Sequence, residues 1–258
     1  MKDIFSIQNS IALLVVKNMQ SQLIDDSDIR PRPEVTQNME AYNLNLKGDH
    51  FLNEHLEWAG PEANPKAINC FEGAIELDPN YAEPYAGLAW ALLNHVSSEG
   101  PNNAYNPLID SARATVARAL SIDNNLAKAY IVKGMIHLWY DWDWSEADEA
   151  FSKGVKLQPR GHWVRFMYPY FLNAMGRYEE SIAFLKETIE LDPVSPISYS
   201  QLSVTADVAD QPDLGTEMML KAQELDPKSR LVIGITNSHY TYLKDREGFE
   251  RMRKVIWK

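Results

Sequence analysis

The chain has 258 residues, 45% of them apolar, with a formal charge of −11 and an isoelectric point near 5.0. So much apolar material excludes a chain disordered throughout and suffices for one extended domain or two compact ones. The acidic balance argues against a phosphate-binding surface, which relies on Lys and Arg to displace counterions, so direct nucleic-acid binding is not expected.

The first element is carried by KDIFSIQNSIALLVVKNMQ, in which Ile4, Ile7, Ile11, Leu14 and Val15 recur at helical spacing. That spacing predicts an amphipathic helix over 3–20, followed by a polar linker over 25–38. Its most apolar run, Ile11 to Val16, is far shorter than the roughly 20 residues a membrane-spanning helix requires, so no membrane insertion is expected. Asp3 stands where a signal peptide needs basic residues, and KNMQSQ follows where small ones belong. The chain is therefore expected to stay in the cytoplasm. A single cysteine, Cys70, fits a reducing compartment, and on the apolar stripe of AINCFEGAIEL it reads as a small buried hydrophobe.

From Ala41 onward the sequence repeats itself. AIELDPNYAEPYAGLA, ALSIDNNLAKAYIVKG, GVKLQPRGHWVRFMYP, TIELDPVSPISYSQLS and AQELDPKSRLVIGITN align without a gap. In each, a helical run stops at Pro79, Asn124, Pro159, Pro193 or Pro227, at separations of 45, 35, 34 and 34, and a new run begins about three residues later. Proline lacks an N–H and disfavours helix in the residue before it, which makes it a stop. The period fits two antiparallel helices of about 13 residues with short turns. Small residues recur at fixed offsets: Gly48, Ala89, Gly134 and Ser203 in the first helix of a unit, Ala67, Ala112, Ala147 and Ser181 at the start of the second, and Ala74, Ala119, Gly154, Thr188 and Ala222 near its end. They permit close backbone approach, and Phe71, Val116, Phe151, Leu185 and Met219 fill the adjoining gaps.

This order of large, small, aromatic, Ala, Phe and Pro resembles the tetratricopeptide repeat, most clearly in AINCFEGAIELDP and EESIAFLKETIELDP. The resemblance covers Ala41 to Lys258. It implies an all-α fold, a right-handed α-α superhelix of five full helix pairs and a sixth partial pair, with residues 1–40 as an extra N-terminal helix and linker. The leading segment, EAYNLNLKG and the DWDW corner further resemble the repeat region of bacterial signalling proteins, where it follows a nucleotide cyclase or a winged-helix transcription regulator. Neither effector motif occurs in this sequence, which suggests the repeat portion of such a protein or a stand-alone relative. Departures from the pattern are a long turn in NEHLEWAGPEANP, a loop in SSEGPNNAYNPL, Phe249 and Ile256 at usually small places, and Pro169 inside a first helix, where it should bend or locally unwind it.

In YDWDWSEADEAF, Asp143 and Glu146 fit a helix capping box, with Trp142 packing onto Ala147; a contact site is the alternative. The repeat register places Tyr42, Asn45, Asp49, Asn53, Trp90, Asn94, Lys128, Met135, Trp139, Phe166, Tyr170 and Asn173 on the inner face of the superhelix. Aromatic groups beside amides and charges are what protein and peptide interfaces favour, and each aromatic is open to burial or to exposure in the groove. Asn45, Ala86, Ile131 and Phe166 stand where a carboxylate-clamping subfamily carries Lys, which argues against that mode. Six histidines show no metal-ligand pairing, and no phosphate loop, GxSxG elbow or HExxH run is present. The expectation is thus a non-enzymatic scaffold for a protein or peptide partner, without cofactor or metal. A homodimer through Ile256, Trp257 and the basic tail is the alternative.

Overall fold

Most helix stops in the repeat are built from the same few side chains. In the LDP and IDN turns an aspartate folds back on its own backbone: Asp78 Oδ1 accepts from Asn80 N at 3.0 Å, Asp123 Oδ1 from Asn125 N at 2.8 Å, and Asp226 Oδ1 from Ser229 N at 3.0 Å. Such local bonds compete with helix and favour a turn. Six residues beyond the stop a tyrosine of the next helix donates to its carbonyl: Tyr85 to Pro79 and Tyr130 to Asn124, both at 3.1 Å, and Tyr199 to Pro193 at 3.2 Å.

The computed structural model describes residues 36–56, 62–98 and 107–243. Among them run α1 (Met39–Leu56), α2 (Ala63–Leu77), α3 (Ala82–Ser98), α4 (Pro107–Ile122), α5 (Ala127–Ile136), α6 (Trp144–Leu157), α7 (His162–Ala174), α8 (Tyr178–Leu191), α9 (Pro196–Val208), α10 (Pro212–Leu225) and α11 (Arg230–Tyr242). They form five antiparallel pairs and the first helix of a sixth, with no strand among the described residues. The N-terminal helix expected over 3–20, most of the linker, and the sixth unit's second helix with Phe249, Ile256 and Trp257 lie outside the described residues. Asn38 closes the linker as a cap, its Oδ1 accepting from the backbone of Glu40 and Ala41.

Helices α1, α3, α5, α7, α9 and α11 pack in a row, each against the next, whereas α2, α4, α6, α8 and α10 pack chiefly against the first helices flanking them. The closer row is the inner, concave one. Between the rows the small-and-large code operates as the sequence predicts. Phe71, Val116, Phe151, Leu185 and Met219 are all buried. A Cβ added at Gly48 or Gly87 would stand 2.6 Å or 2.5 Å from the Phe71 ring, and one at Gly134 2.7 Å from Phe151, so the rings rest directly on bare helix backbone.

Helix α7 runs unbroken from His162 to Ala174 with Pro169 inside it, so the local unwinding expected there does not occur. The irregular turn lies one repeat earlier, where His137–Asp141 form a π turn at the end of α5. The interval from Asn124 to Pro159 is 35 residues against 34 in the next two, and a π turn is how a helix absorbs one extra residue.

Candidate functional site

The inner row brings the sequence-selected residues to one surface in two different states. Asn45 of α1 and Trp90 of α3 are only 1% and 2% exposed, and Met135, Phe166 and Lys128 are buried. Trp139 and Tyr170 are open, at 40% and 41% exposure. Asp49, Asn94 and Asn173 are intermediate, with Asn173 donating to Thr205 Oγ1 of α9 at 2.9 Å. Tyr42 is half-buried; Asn53 lies on α1, but its side chain falls outside the described residues.

Lys128 is the centre of this surface. Its ammonium pairs with Asp49 at 2.5 Å, linking the first and third inner helices across α3. It also lies 4.8 Å from the Trp163 ring centre and 5.4 Å from that of Phe71. Buried so deeply, the cation is held by aromatic faces and one carboxylate in place of water. Trp90 then joins the ladder, with its ring 5.8 Å from Trp139 and, edge to face, 5.6 Å from Trp163. Trp163, absent from the sequence selection, sits three residues before Phe166; that spacing puts both on one helix face and could have revealed it.

Several polar atoms of this surface lack a hydrogen-bond partner among the described residues: Trp90 Nε1, Asn94 Nδ2, Arg165 Nε and the Oδ1 atoms of Asn45 and Asn173. Three of these are donors, all of them enclosed within the protein. His162 shares the neighbourhood. Desolvation by the surrounding walls, and after it the Arg165 charge, hold its pKa below the usual histidine value, so its ring is neutral near pH 7. Gln201 of α9 donates to the Phe166 carbonyl at 2.7 Å, supporting the backbone of α7 just before Pro169.

The DWDW corner behaves partly as its sequence suggests. Asp143 caps α6, its Oδ1 accepting from Glu146 N at 3.1 Å. The expected packing of Trp142 onto Ala147 does not describe its place: Trp142 is 69% exposed, its ring meeting Trp144 edge to face at 5.9 Å. Asp141 has a structural part that its sequence context did not reveal. It takes both guanidinium nitrogens of Arg113 on α4, one at 2.7 Å, and lies 2.8 Å from His137 Nδ1, tying the π turn to the preceding repeat. The Arg113 bond, ahead of the His137 contact, holds the Asp141 carboxyl below the usual carboxylate range. Cys70 is half-buried on α2, and burial pushes its thiol pKa up, away from a reactive thiolate. Among the described residues no cluster of His, Cys, Asp or Glu has the arrangement to hold a metal ion, and no helix is long and apolar enough to cross a membrane.

A family model described as tetratricopeptide repeat matches residues 170–195, the span from Tyr170 on α7 through the turn after α8. Among solved structures, a thermophilic tetratricopeptide protein of Thermus thermophilus superposes with a TM-score of 0.61 at 15% identity, over 79% of this chain and 99% of that one. The fold is the right-handed tetratricopeptide-repeat solenoid. A second such solenoid, the human IFIT1 dimer determined with m7Gppp-AAAA, superposes at a TM-score of 0.68 and 13% identity, over 84% of this chain and 50% of IFIT1. In sequence, the transcriptional regulator HilA of Salmonella typhimurium is 24% identical over 187 residues. That match takes in 72% of this chain but only 32% of HilA, so the solenoid corresponds to about a third of the longer regulator.

Proposed function

We propose that the chain is a non-enzymatic scaffold that binds a peptide or protein segment in its concave hollow, acting in the cytoplasm as the regulatory part of a bacterial signalling system. The observation that carries this reading is the pair of open aromatic rings on the inner row, Trp139 and Tyr170, at 40% and 41% exposure. Interface aromatics of this kind give an extended segment apolar contact for its side chains. The likeness to a portion of a transcriptional regulator supports a regulatory setting, in which the repeats receive a signal and an effector module acts on it.

Capture from a bacterial lysate on immobilised protein tests the assignment, with Trp139→Ala and Tyr170→Ala as the controls. Trp139 packs in part on Trp90 and Tyr170 on Phe166, so the captures are run well below the melt of each variant, and each should lose partners that the unaltered protein retains. If both variants keep the same partners, the hollow is not the binding surface. Nuclease treatment of the captured material separates a direct protein partner from one that is bridged by RNA.

A further inference from the structure

The turn between the two helices of a unit requires a left-handed residue, and three successive units fill that position differently. Trp142, Gly176 and Asp210 lie one 34-residue period apart, with φ of 55°, 69° and 57°. The backbone suits glycine there, as unit four shows, and β-carbon-bearing residues adopt it under strain. A Cβ at Gly176 would meet nothing within 4 Å, so this position projects its side chain into open space. In the third unit that side chain is an indole, the most exposed tryptophan among the described residues. Neither the turn nor the core has any use for it.

Its surroundings indicate what it would meet. Trp144 stands beside it edge to face, leaving indole faces open to solvent. Asp143 lies between the two in sequence, and Glu149 follows on the first turns of α6. The nearby acids Asp141, Glu146 and Asp148 are matched by Arg113, Lys133 and Arg177, but Asp143 and Glu149 have no ion pair among the described residues. No basic residue occurs between Asp141 and Ser152, and the next one, Lys153, lies over the Tyr130 ring, so Asp143 keeps its negative charge at the corner.

We infer that the Trp142–Trp144 corner is a docking site for an arginine side chain of a partner protein. A guanidinium is planar and weakly hydrated, so it stacks on an indole face while its N–H fork reaches a carboxylate at the edge. Asp143 is that carboxylate, its position fixed by the cap it makes to Glu146 N. The strained tryptophan and the unpaired acid thus complete one another only when a cation is present. This site is separate from the concave hollow, and the outcome of the lysate captures leaves it untouched.

The test follows the indole N–H signals of the 15N-labelled protein, which has seven tryptophans. The probe is a peptide of alternating Arg and Gly, with a Glu-Gly peptide as control. Two indole signals, assigned as those missing from Trp142→Gly and Trp144→Ala, should shift saturably with the first peptide and not with the second. Trp142→Gly should weaken binding at least five-fold while leaving the melting temperature unchanged or higher, because glycine relaxes the left-handed turn. Asp143→Asn keeps the helix cap but removes the charge, and should also weaken binding with little change in the melt. Equal affinity in Trp142→Gly, shifts confined to other indoles, or a lowered melt in Trp142→Gly would each overturn the inference, the last by showing that the ring is a packing element.

Discussion

Between Leu52 and Leu172 a single apolar cluster threads the first four repeats, with Phe71, Trp90, Phe151 and Phe171 fully buried in it. The fifth and sixth repeats hold smaller apolar clusters, around Leu202 and around Tyr199 and Val232, and add buried polar groups to them. On α9, Ser198, Ser200, Gln201, Ser203, Thr205 and Asp207 are all buried, and from α11 Thr236 and His239 join them. Asp207 faces His239 Nδ1 with both oxygens at 2.9 Å, and His239 Nε2 lies 3.1 Å from Thr216 Oγ1 on α10, so one imidazole links three helices. Gly215 makes room for this contact, since a Cβ there would lie 2.4 Å from Asp207 Oδ1. The comparison teaches that one repeat backbone tolerates two kinds of interior, one continuous apolar cluster and one in which smaller apolar clusters surround a buried polar network.

The largest effect should come from the apolar end. Phe151→Ala empties the space against Gly134 and should cost about 4 kcal/mol, measured by urea unfolding. A loss below about 1 kcal/mol would mean that the third repeat is held by something other than ring-on-backbone packing. Next comes the polar end, where Asp207→Ala leaves His239 without its acceptor deep in the interior, at a cost of about 3 kcal/mol. Asp207→Asn keeps an acceptor for the ring N–H and should lose less.

Acid titration sharpens the comparison, because the two regions respond with opposite signs. Burial raises the Asp207 pKa, with the His239 hydrogen bond pulling the other way, so the folded state holds that proton more tightly than the unfolded chain. Its contribution is present below the unfolded value of about 4 and is lost as pH rises through the raised folded value. Asp141 is lowered, so its contribution is present above about pH 4 and is lost as pH falls through the folded value. Relative to the unaltered protein, Asp207→Asn should therefore gain ground from pH 4 upward, and Asp141→Asn should lose it over the same range. At pH 7 the Asp141→Asn deficit should be about 1 kcal/mol, as befits a bidentate pair in part open to solvent, and it should shrink in high salt. Profiles of the same sign in both variants would remove the contrast. Smallest is Gly176→Ala, which forces a Cβ into the left-handed region without a clash and should cost about 1 kcal/mol.

Much of this was legible in the residues. Prolines at a regular period marked the turns, and small residues at fixed offsets marked where helices touch, because both act through the local backbone or the nearest neighbour. The extra residue between Asn124 and Pro159 was countable, although Pro169, the more conspicuous irregularity, leaves its own helix without local unwinding. Less could be read of the inner surface. Register placed Trp90 and Trp139 on one face but could not distinguish the buried ring from the open one, since that depends on how far the neighbouring inner helices close over each.

The sequence alone determined the repeat, its boundaries, its helix stops and caps, and the pairs of small and large residues that set the spacing between rows, because these are interactions over a few residues or between adjacent helices. Tertiary structure alone decided that Lys128 reaches Asp49 seventy-nine positions away, that Asp141 belongs to Arg113, and that Asp207 and His239 meet in the interior. Charge pairing acts through space, and the curvature of the stack, which no single repeat encodes, chooses the partners.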